Sequence, residues 1–346
     1  MQSRRCRIAL LGFGTVGSAV ARRLTGPDAL PGFTLTYIFD RRADSKRARH
    51  PELSSAAWTT EIDEVLRSDT DVVVEAIGGI DPAAHWIETA LTAGKSVVTA
   101  NKQVVARDGV RLLRLAERQG RQLRFEGAVG GAMPILRAIE GLAGDRVVRV
   151  EAILNGTTNA VLSQIESTGC SIDAALADAR QRGFAESDPS ADLRGDDACA
   201  KLSILCASAF GLRVDPTQIA VRSCASIDAS EFVQARRSNG TIRQIARAVY
   251  DRARSTLTVS VAPEYVPHTS IFARTTGPAN AAVITGEYSG ETSIAGVGAG
   301  GDATSVAIVS DLIAIARDRA AIVPAPHLTS HFKLLTANFL FVEAAC

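Results

Sequence analysis

The chain has 346 residues, enough for two domains of ordinary size. With 38 Lys+Arg against 37 Asp+Glu it carries no strong field of either sign, which argues against a nucleic-acid or anionic-membrane partner. No run approaches the ~20 uninterrupted apolar residues of a membrane span, so a soluble cytoplasmic protein is expected. Six scattered cysteines (Cys6, Cys170, Cys199, Cys206, Cys224 and Cys346) show no CxxC pair and no zinc spacing with histidine, so a disulfide framework is not expected.

The opening "MQSRRCRIALLGFG" places about six apolar residues after basic ones and runs straight into a glycine turn, which reads as a first strand and not a signal peptide. Short apolar runs then alternate with amphipathic stretches. "FTLTYIFD", "DVVVEAIG", "SVVTA" and "QLRFEG" read as strands, and "TVGSAVARRLTG", "EIDEVLRS", "AAHWIETALTAG" and "VVARDGVRLLRLAERQG" as helices. That alternation predicts a doubly wound parallel sheet over roughly the first 130 residues. "VGGAMPILRAIEGL" reads as a glycine-rich turn entering a helix with Pro134 in its opening turn, and "RVVRVEAILNGTTNAVLSQI" as strand, turn and helix. Helical stretches continue to about Phe210. From Thr241 to Thr292 strand-like segments dominate, predicting a second sheet, antiparallel or mixed. "ATSVAIVSDLIAIARDR" reads as one late helix able to pack back on the first domain, and the tail "HFKLLTANFLFVEAAC" has no clear period.

"GFGTVG" at residues 12–17 follows a strand and opens a helix. In that setting Gly12 permits a tight turn, Gly14 lets backbone approach a pyrophosphate and Gly17 allows close helix packing, so Gly12, Phe13, Gly14, Thr15, Val16 and Gly17 are candidate dinucleotide contacts. The second strand ends in Asp40, suited to an adenosine ribose. Arg41 and Arg42 suit a 2′-phosphate, or form a solvated loop. NAD and NADP thus receive opposed indications, with a slight lean to NAD. Lys201 lies among alanines and leucines in "DDACAKLSILCASAF", with Asp197 four residues before it; an ordinary helical ion pair and a lysine facing a cleft both satisfy that spacing. Lys102 follows the strand "SVVTA" at the sheet edge where α/β proteins bind ligands, although a plain loop lysine fits as well. His327 and His331 stand at helical spacing without a third ligand nearby and read as structural or surface residues.

Five blocks in order, "VTANK" (98–102), "FEGAVGGAMPIL" (125–136), "LNGTTNAVL" (154–162), "AESDPSADLRGDDACAKL" (185–202) and "GVGAGGDATSVAIVSDL" (296–312), resemble the homoserine dehydrogenase family. The resemblance implies an α/β fold: a Rossmann-type doubly wound parallel sheet completed by C-terminal helices, plus a central α+β domain with a mixed or antiparallel sheet. The expected division is 1–132 and 303–346 for nucleotide binding, with 133–302 for substrate binding, catalysis and dimerisation. It implies NAD(P)-dependent interconversion of L-homoserine and L-aspartate 4-semialdehyde, a step of threonine and methionine biosynthesis, in a cytoplasmic homodimer. Lys201 becomes the acid/base, with Asp197 in the matching acid position, and Lys102 falls between nicotinamide and substrate. Glu186 and Asp192 become substrate carboxylates, joined by Gly156 and Thr157. Asn101 and Gly301 join the cofactor contacts, and the backbone of Glu126, Val129, Gly131 and Met133 becomes a possible sodium site. Asp188 and Asp196 are expected as turn and N-cap residues. Two departures stand out: Ser187 replaces a common proline, and "GVGAGGDAT" lacks a usual proline, which weakens the contacts expected of Gly300 and Gly301. The chain is too short for an appended ACT or kinase domain, so feedback through one is not expected. Another amino-acid or semialdehyde dehydrogenase on this fold, or a catalytically inactive NAD(P)-binding regulatory protein, are the alternatives.

Overall fold

The structure is a computed structural model that describes residues 5–27, 29–185, 188–329 and 331–336. It divides into two compact units, Met1–Ala132 with Gly300–Pro326, and Met133–Ala299 with His327–Cys346.

In the first unit, strands β1 (Cys6–Leu11), β2 (Phe33–Phe39), β3 (Ala57–Thr59), β4 (Val72–Glu75), β5 (Ser96–Thr99) and β6 (Leu123–Arg124) form an all-parallel sheet in the order β3-β2-β1-β4-β5-β6. Its helices are α1 (Thr15–Thr25), α2 (Ala43–Arg47), α3 (Ile62–Arg67), α4 (Ala83–Thr92) and α5 (Lys102–Arg118). Every residue of β4 and β5 is buried, as expected where helices cover both faces of a parallel sheet. The late helix, Gly301–Arg317, packs against α1. Its Ile308, Leu312 and Ile315 complete a core with Ile8, Leu10, Val20 and Leu24, and replacing any one of them by alanine costs about 2–5 kcal/mol. On the outer side of α1, Arg22 reaches Asp302 at 2.9 Å and Arg23 reaches Ser305 at 2.8 Å.

The second unit begins with helix α6 (Ile135–Gly141) and strand β7 (Val147–Ile153). Helices α7 (Gly156–Thr168), α8 (Ile172–Gln181), α9 (Ser190–Arg194), α10 (Asp196–Phe210), α11 (Ala229–Arg237) and α12 (Ile271–Arg274) surround a sheet completed by β8 (Ala220–Val221), β9 (Gly240–Asp251), β10 (Thr256–Pro267), β11 (Ala279–Gly286), β12 (Gly290–Val297) and β13 (Lys333–Thr336). The sheet order is β12-β11-β7-β9-β10-β13, with β8 also on β10. Pairing is antiparallel except that β8 and β13 run parallel to β10, so the sheet is mixed. Asp145 closes the β11–β12 turn by accepting hydrogen bonds from Ser289 N (2.8 Å), Ser289 Oγ (2.6 Å) and Tyr288 N (3.2 Å). These bonds, the Ser289 hydroxyl foremost, lower its pKa to about 2. The late helix is here α13 (Gly301–Arg317).

Two expectations change. Pro134 is the N-cap of α6 and does not sit inside its first turn. The C-terminal segment does not all return to the first unit: Thr256, Leu257, Thr258 and Val259 of β10 pair with residues 333–336, which places β13 in the second sheet. Lys333–Thr336 carries a single short strand with no buried residue, which is why no apolar period announced it. The rest of the tail lies outside the described residues.

Candidate active site

In the first unit the glycine turn is fixed by contacts that admit no side chain. Gly12 has φ +92°, and a Cβ there would lie 2.8 Å from Ala76 O; one on Gly17 would lie 2.0 Å from Gly12 O. Gly14 is different. It is exposed, and a Cβ would meet nothing within 4 Å, so its backbone is open to a ligand. Helix α1 then starts at Thr15 with no side-chain cap and no acid in its first turn, leaving N–H donors for an anion. Gly301 approaches this end so closely that a Cβ would lie 2.6 Å from Thr15 O, and α13 likewise starts without a side-chain cap. Phe13 is buried and Val16 half-buried, so these two serve the turn by packing.

Asp40, at the end of β2, accepts from Phe13 N (3.0 Å), Arg42 N (2.9 Å) and Lys46 Nζ (2.5 Å). Burial pushes its carboxyl up, but these donors, Lys46 first, outweigh it and hold the pKa below the ordinary value. Lys46 also donates to Phe13 O at 2.7 Å. Arg41 and Arg42 are exposed. At the neighbouring edge Asn101 caps α5 through Val104 N (3.3 Å) and donates to Gly79 O (2.6 Å), and Lys102 follows as the first residue of α5. Glu126 and Val129 are buried, and Glu126 N donates to the buried Asp311 of α13 at 3.0 Å; Gly131 has φ +59°. Met133 is fully buried and begins the second unit.

In the second unit a side-chain network gathers where β7 ends. Lys201, 9% exposed, donates to Leu154 O at 2.7 Å and lies 2.8 Å from Asp197 Oδ2. Asn155 Nδ2 donates to Asp192 Oδ1 (2.7 Å) and Asp197 Oδ2 (3.0 Å), while its Oδ1 caps α7 by accepting from Thr158 N (2.8 Å). Asp192, Asp197 and Lys201 are therefore brought together. Gly156 packs so that a Cβ would lie 2.8 Å from Pro278 O. The Thr157 hydroxyl donates to Phe184 O at 2.8 Å, so its proton serves the chain that leads toward residue 186. Glu186 itself lies outside the described residues. Asp188 accepts from Ser190 N and Oγ in a turn, as expected. Asp196 does not cap α10: the N-cap is Gly195, and Asp196 pairs with Arg194 at 2.9 Å. Cys199, between Asp197 and Lys201 on α10, has its thiol pushed up to about 12 by burial and then by Asp196 and Asp197, which makes it inert.

The family model "Homoserine dehydrogenase" matches residues 134–313, and "Homoserine dehydrogenase, NAD binding domain" matches residues 12–126. The chain belongs to the homoserine dehydrogenase family. A homoserine dehydrogenase of Mycobacterium tuberculosis is 37% identical over 352 residues, covering 97% of this chain and 78% of its own. The crystal structure of a homoserine dehydrogenase from Thiobacillus denitrificans superposes with a TM-score of 0.87 at 30% identity, covering 96% of this chain and 80% of the other. A hyperthermophilic archaeal homoserine dehydrogenase in complex with NADPH gives a TM-score of 0.74 at 27% identity, covering 93% and 99%. The first unit accordingly holds the NAD(P)-binding domain of a homoserine dehydrogenase.

Sequence reading passed over three residues of this chain. Asn155 was visible as an N-cap type directly before a predicted helix, but its second role, bridging two acids 37 and 42 residues away, has no local trace. Lys46 was hidden in a charged loop. Asp311 was the stronger signal, a lone acid inside an apolar helical run, which needs a partner if buried. No helix among the described residues is long and apolar enough to cross a membrane, and the five described cysteines are free thiols.

Proposed function

We propose that this chain interconverts L-homoserine and L-aspartate 4-semialdehyde, with Lys201 as the proton-transfer residue. The observation that carries the reading is the network Asp192–Asn155–Asp197–Lys201, whose buried ammonium is held by one carboxylate and one carbonyl. A bound nicotinamide would supply the hydride chemistry of the reaction in either direction. The open Gly14 backbone and the uncapped starts of α1 and α13 fit its pyrophosphate.

In the oxidative direction Lys201 acts as the neutral amine, its Nζ taking the hydroxyl proton of homoserine to become the ammonium that Asp197 holds; in the reductive direction that ammonium gives the proton to the aldehyde oxygen and returns to the amine. Asp197 orients Nζ. Asp192 has Oδ1 fixed by Asn155 and offers Oδ2, with Glu186, to the substrate ammonium. Lys102, at the positive end of α5, assists by polarising the reacting oxygen, and Gly156 lines the substrate side. A monovalent cation, sodium, on the carbonyls of Glu126, Val129, Gly131 and Met133 and a homodimer formed through the second unit complete the reading. The free thiols support a cytoplasmic setting.

The cofactor preference moves from the slight lean to NAD. That lean rested on an Asp40 available to ribose, whereas its carboxylate is engaged by Lys46 and two N–H groups. Arg41, Arg42 and Lys46 leave this corner net positive, which supports NADP. The deciding experiment mixes the purified protein with L-homoserine and NAD or NADP and follows the reduced nicotinamide by absorbance. Turnover supports the reaction, and the rate ratio gives the preference. Cofactor binding without turnover, with a panel of hydroxy amino acids also silent, overturns it.

A further inference from the structure

Glu75 is the last residue of β4 and is 0% exposed, yet no lysine, arginine or histidine among the described residues pairs with it. A carboxylate placed so deep needs donors, and it has three. Its Oε1 accepts from Ile77 N (2.8 Å) and Gly78 N (3.2 Å), and its Oε2 accepts from Thr99 Oγ1 (2.5 Å). Thr99 is level with Glu75 in the β4–β5 register, and Leu11, the end of β1, is level with it on the other side. Glu75 thus ends its strand beside the β1–β4 switch point, the crevice edge of the sheet.

The bonds continue into a closed ring. Thr99 Oγ1 accepts from Asn101 N (3.0 Å), and Asn101 Nδ2 donates to Gly79 O (2.6 Å), returning to the loop that Glu75 holds. Asn101 Oδ1 meanwhile caps the helix whose first residue is Lys102. One carboxylate therefore ties together the two loops leaving β4 and β5. Gly78 and Gly79 both have positive φ, so the first loop has little stiffness of its own. A nonpolar residue would fill the space of Glu75 but could not hold three donors.

We propose that Glu75 is a positioning residue for the nicotinamide half of the dinucleotide and for Lys102, acting through Thr99 and Asn101. The proposal rests on the NAD(P)-binding reading of the first unit. The loop that Glu75 holds also backs Gly12 through Ala76 O, so the part of the dinucleotide it spares is the adenosine end at β2, short of the pyrophosphate. That division supplies the test. Dissociation constants of NADPH and of adenosine 2′,5′-bisphosphate, which lacks the pyrophosphate and the nicotinamide half, are measured by titration for the whole protein and for Glu75→Gln. The expected result is about tenfold weaker NADPH binding with adenosine 2′,5′-bisphosphate changed less than about twofold. Equal weakening of both, or of neither, overturns the proposal. Should Glu75→Gln fail to fold, Thr99→Val breaks the same ring with little change of volume: it is expected to weaken NADPH alone, with Thr99→Ser restoring it. Normal NADPH binding by Thr99→Val overturns the proposal equally. Because binding is read without substrate, these outcomes are independent of whether homoserine is turned over.

Discussion

Two lysine–aspartate pairs, Lys46–Asp40 after β2 and Lys201–Asp197 on α10, are built almost alike. Their N–O separations are 2.5 and 2.8 Å, all four side chains are 11–12% exposed, and each lysine donates additionally to one backbone carbonyl, Phe13 O or Leu154 O. Their neighbours differ. Asp40 takes its other hydrogen bonds from the N–H groups of Phe13 and Arg42, donors fixed by the chain, so that pair locks a turn. Asp197 takes one from the Asn155 side chain, which also holds Asp192, so that pair ends a series of side chains able to answer a ligand. Pair geometry alone does not separate the two; the proposed proton-transfer role of Lys201 rests on the kind of donor around its acid.

Removing each lysine breaks the comparison most sharply. Lys201→Ala should lower kcat by about 10³-fold, whereas Lys46→Ala should leave kcat within about threefold of normal and raise KM for the nicotinamide. Equal losses in steady-state assays would make the two pairs equivalent after all. Next comes Asn155. Alanine there should cost about 1 kcal/mol through the lost cap and lower kcat/KM for homoserine about 100-fold. Serine should recover the stability in a denaturant melt but not the activity, since it can cap α7 and cannot reach both acids.

A smaller effect is expected at the exposed Arg41, where alanine should lower kcat/KM with NADP about tenfold and change NAD little. An unchanged NADP/NAD ratio would remove Arg41 from recognition. Least of all is the acid sensitivity that comes from the lowered carboxyl of Asp145. A folded-state pKa of about 2 against an ordinary 3.8 means that its contribution is full above about pH 4 and is lost as pH falls toward 2. Asp145→Asn should flatten the Tm profile in that window, and an identical slope would assign the acid response elsewhere.

Most of the Rossmann half was legible because its elements carry local marks: three glycines at the turn, alternating apolar runs, and an acid at the end of β2; β3 and α2, three and five residues long, are too short to carry one and were not read. The late helix was legible for the same reason, its period matching the cover that the first sheet needs. In the second unit the gross order of elements was readable, but β8, β12 and β13 were not. β12 is an edge strand with exposed and half-buried residues alternating and no strong apolar face, and β8 and β13 are too short for any period. At the site, the i, i+4 spacing of Asp197 and Lys201 announced an ion pair and the family resemblance gave it a role, while the Asn155 bridge depends on long-range register that no local pattern encodes. Thr157 shows a second long-range contact: the proton of its hydroxyl is given to Phe184 O, 27 residues on, which no local pattern announces.

The passage of the backbone between units after Ala132, Ala299 and Pro326 bears on how the protein is made. The six strands of the first sheet leave the ribosome about 170 residues before α13, on the order of ten seconds or more of synthesis. Until then Ile8, Leu10, Val20 and Leu24 lack the partners Ile308, Leu312 and Ile315. The nascent nucleotide-binding unit therefore waits, with apolar surface uncovered, for a helix encoded about 170 residues further along the message. A stalled ribosome or a truncated transcript yields a client for chaperones, not a working domain.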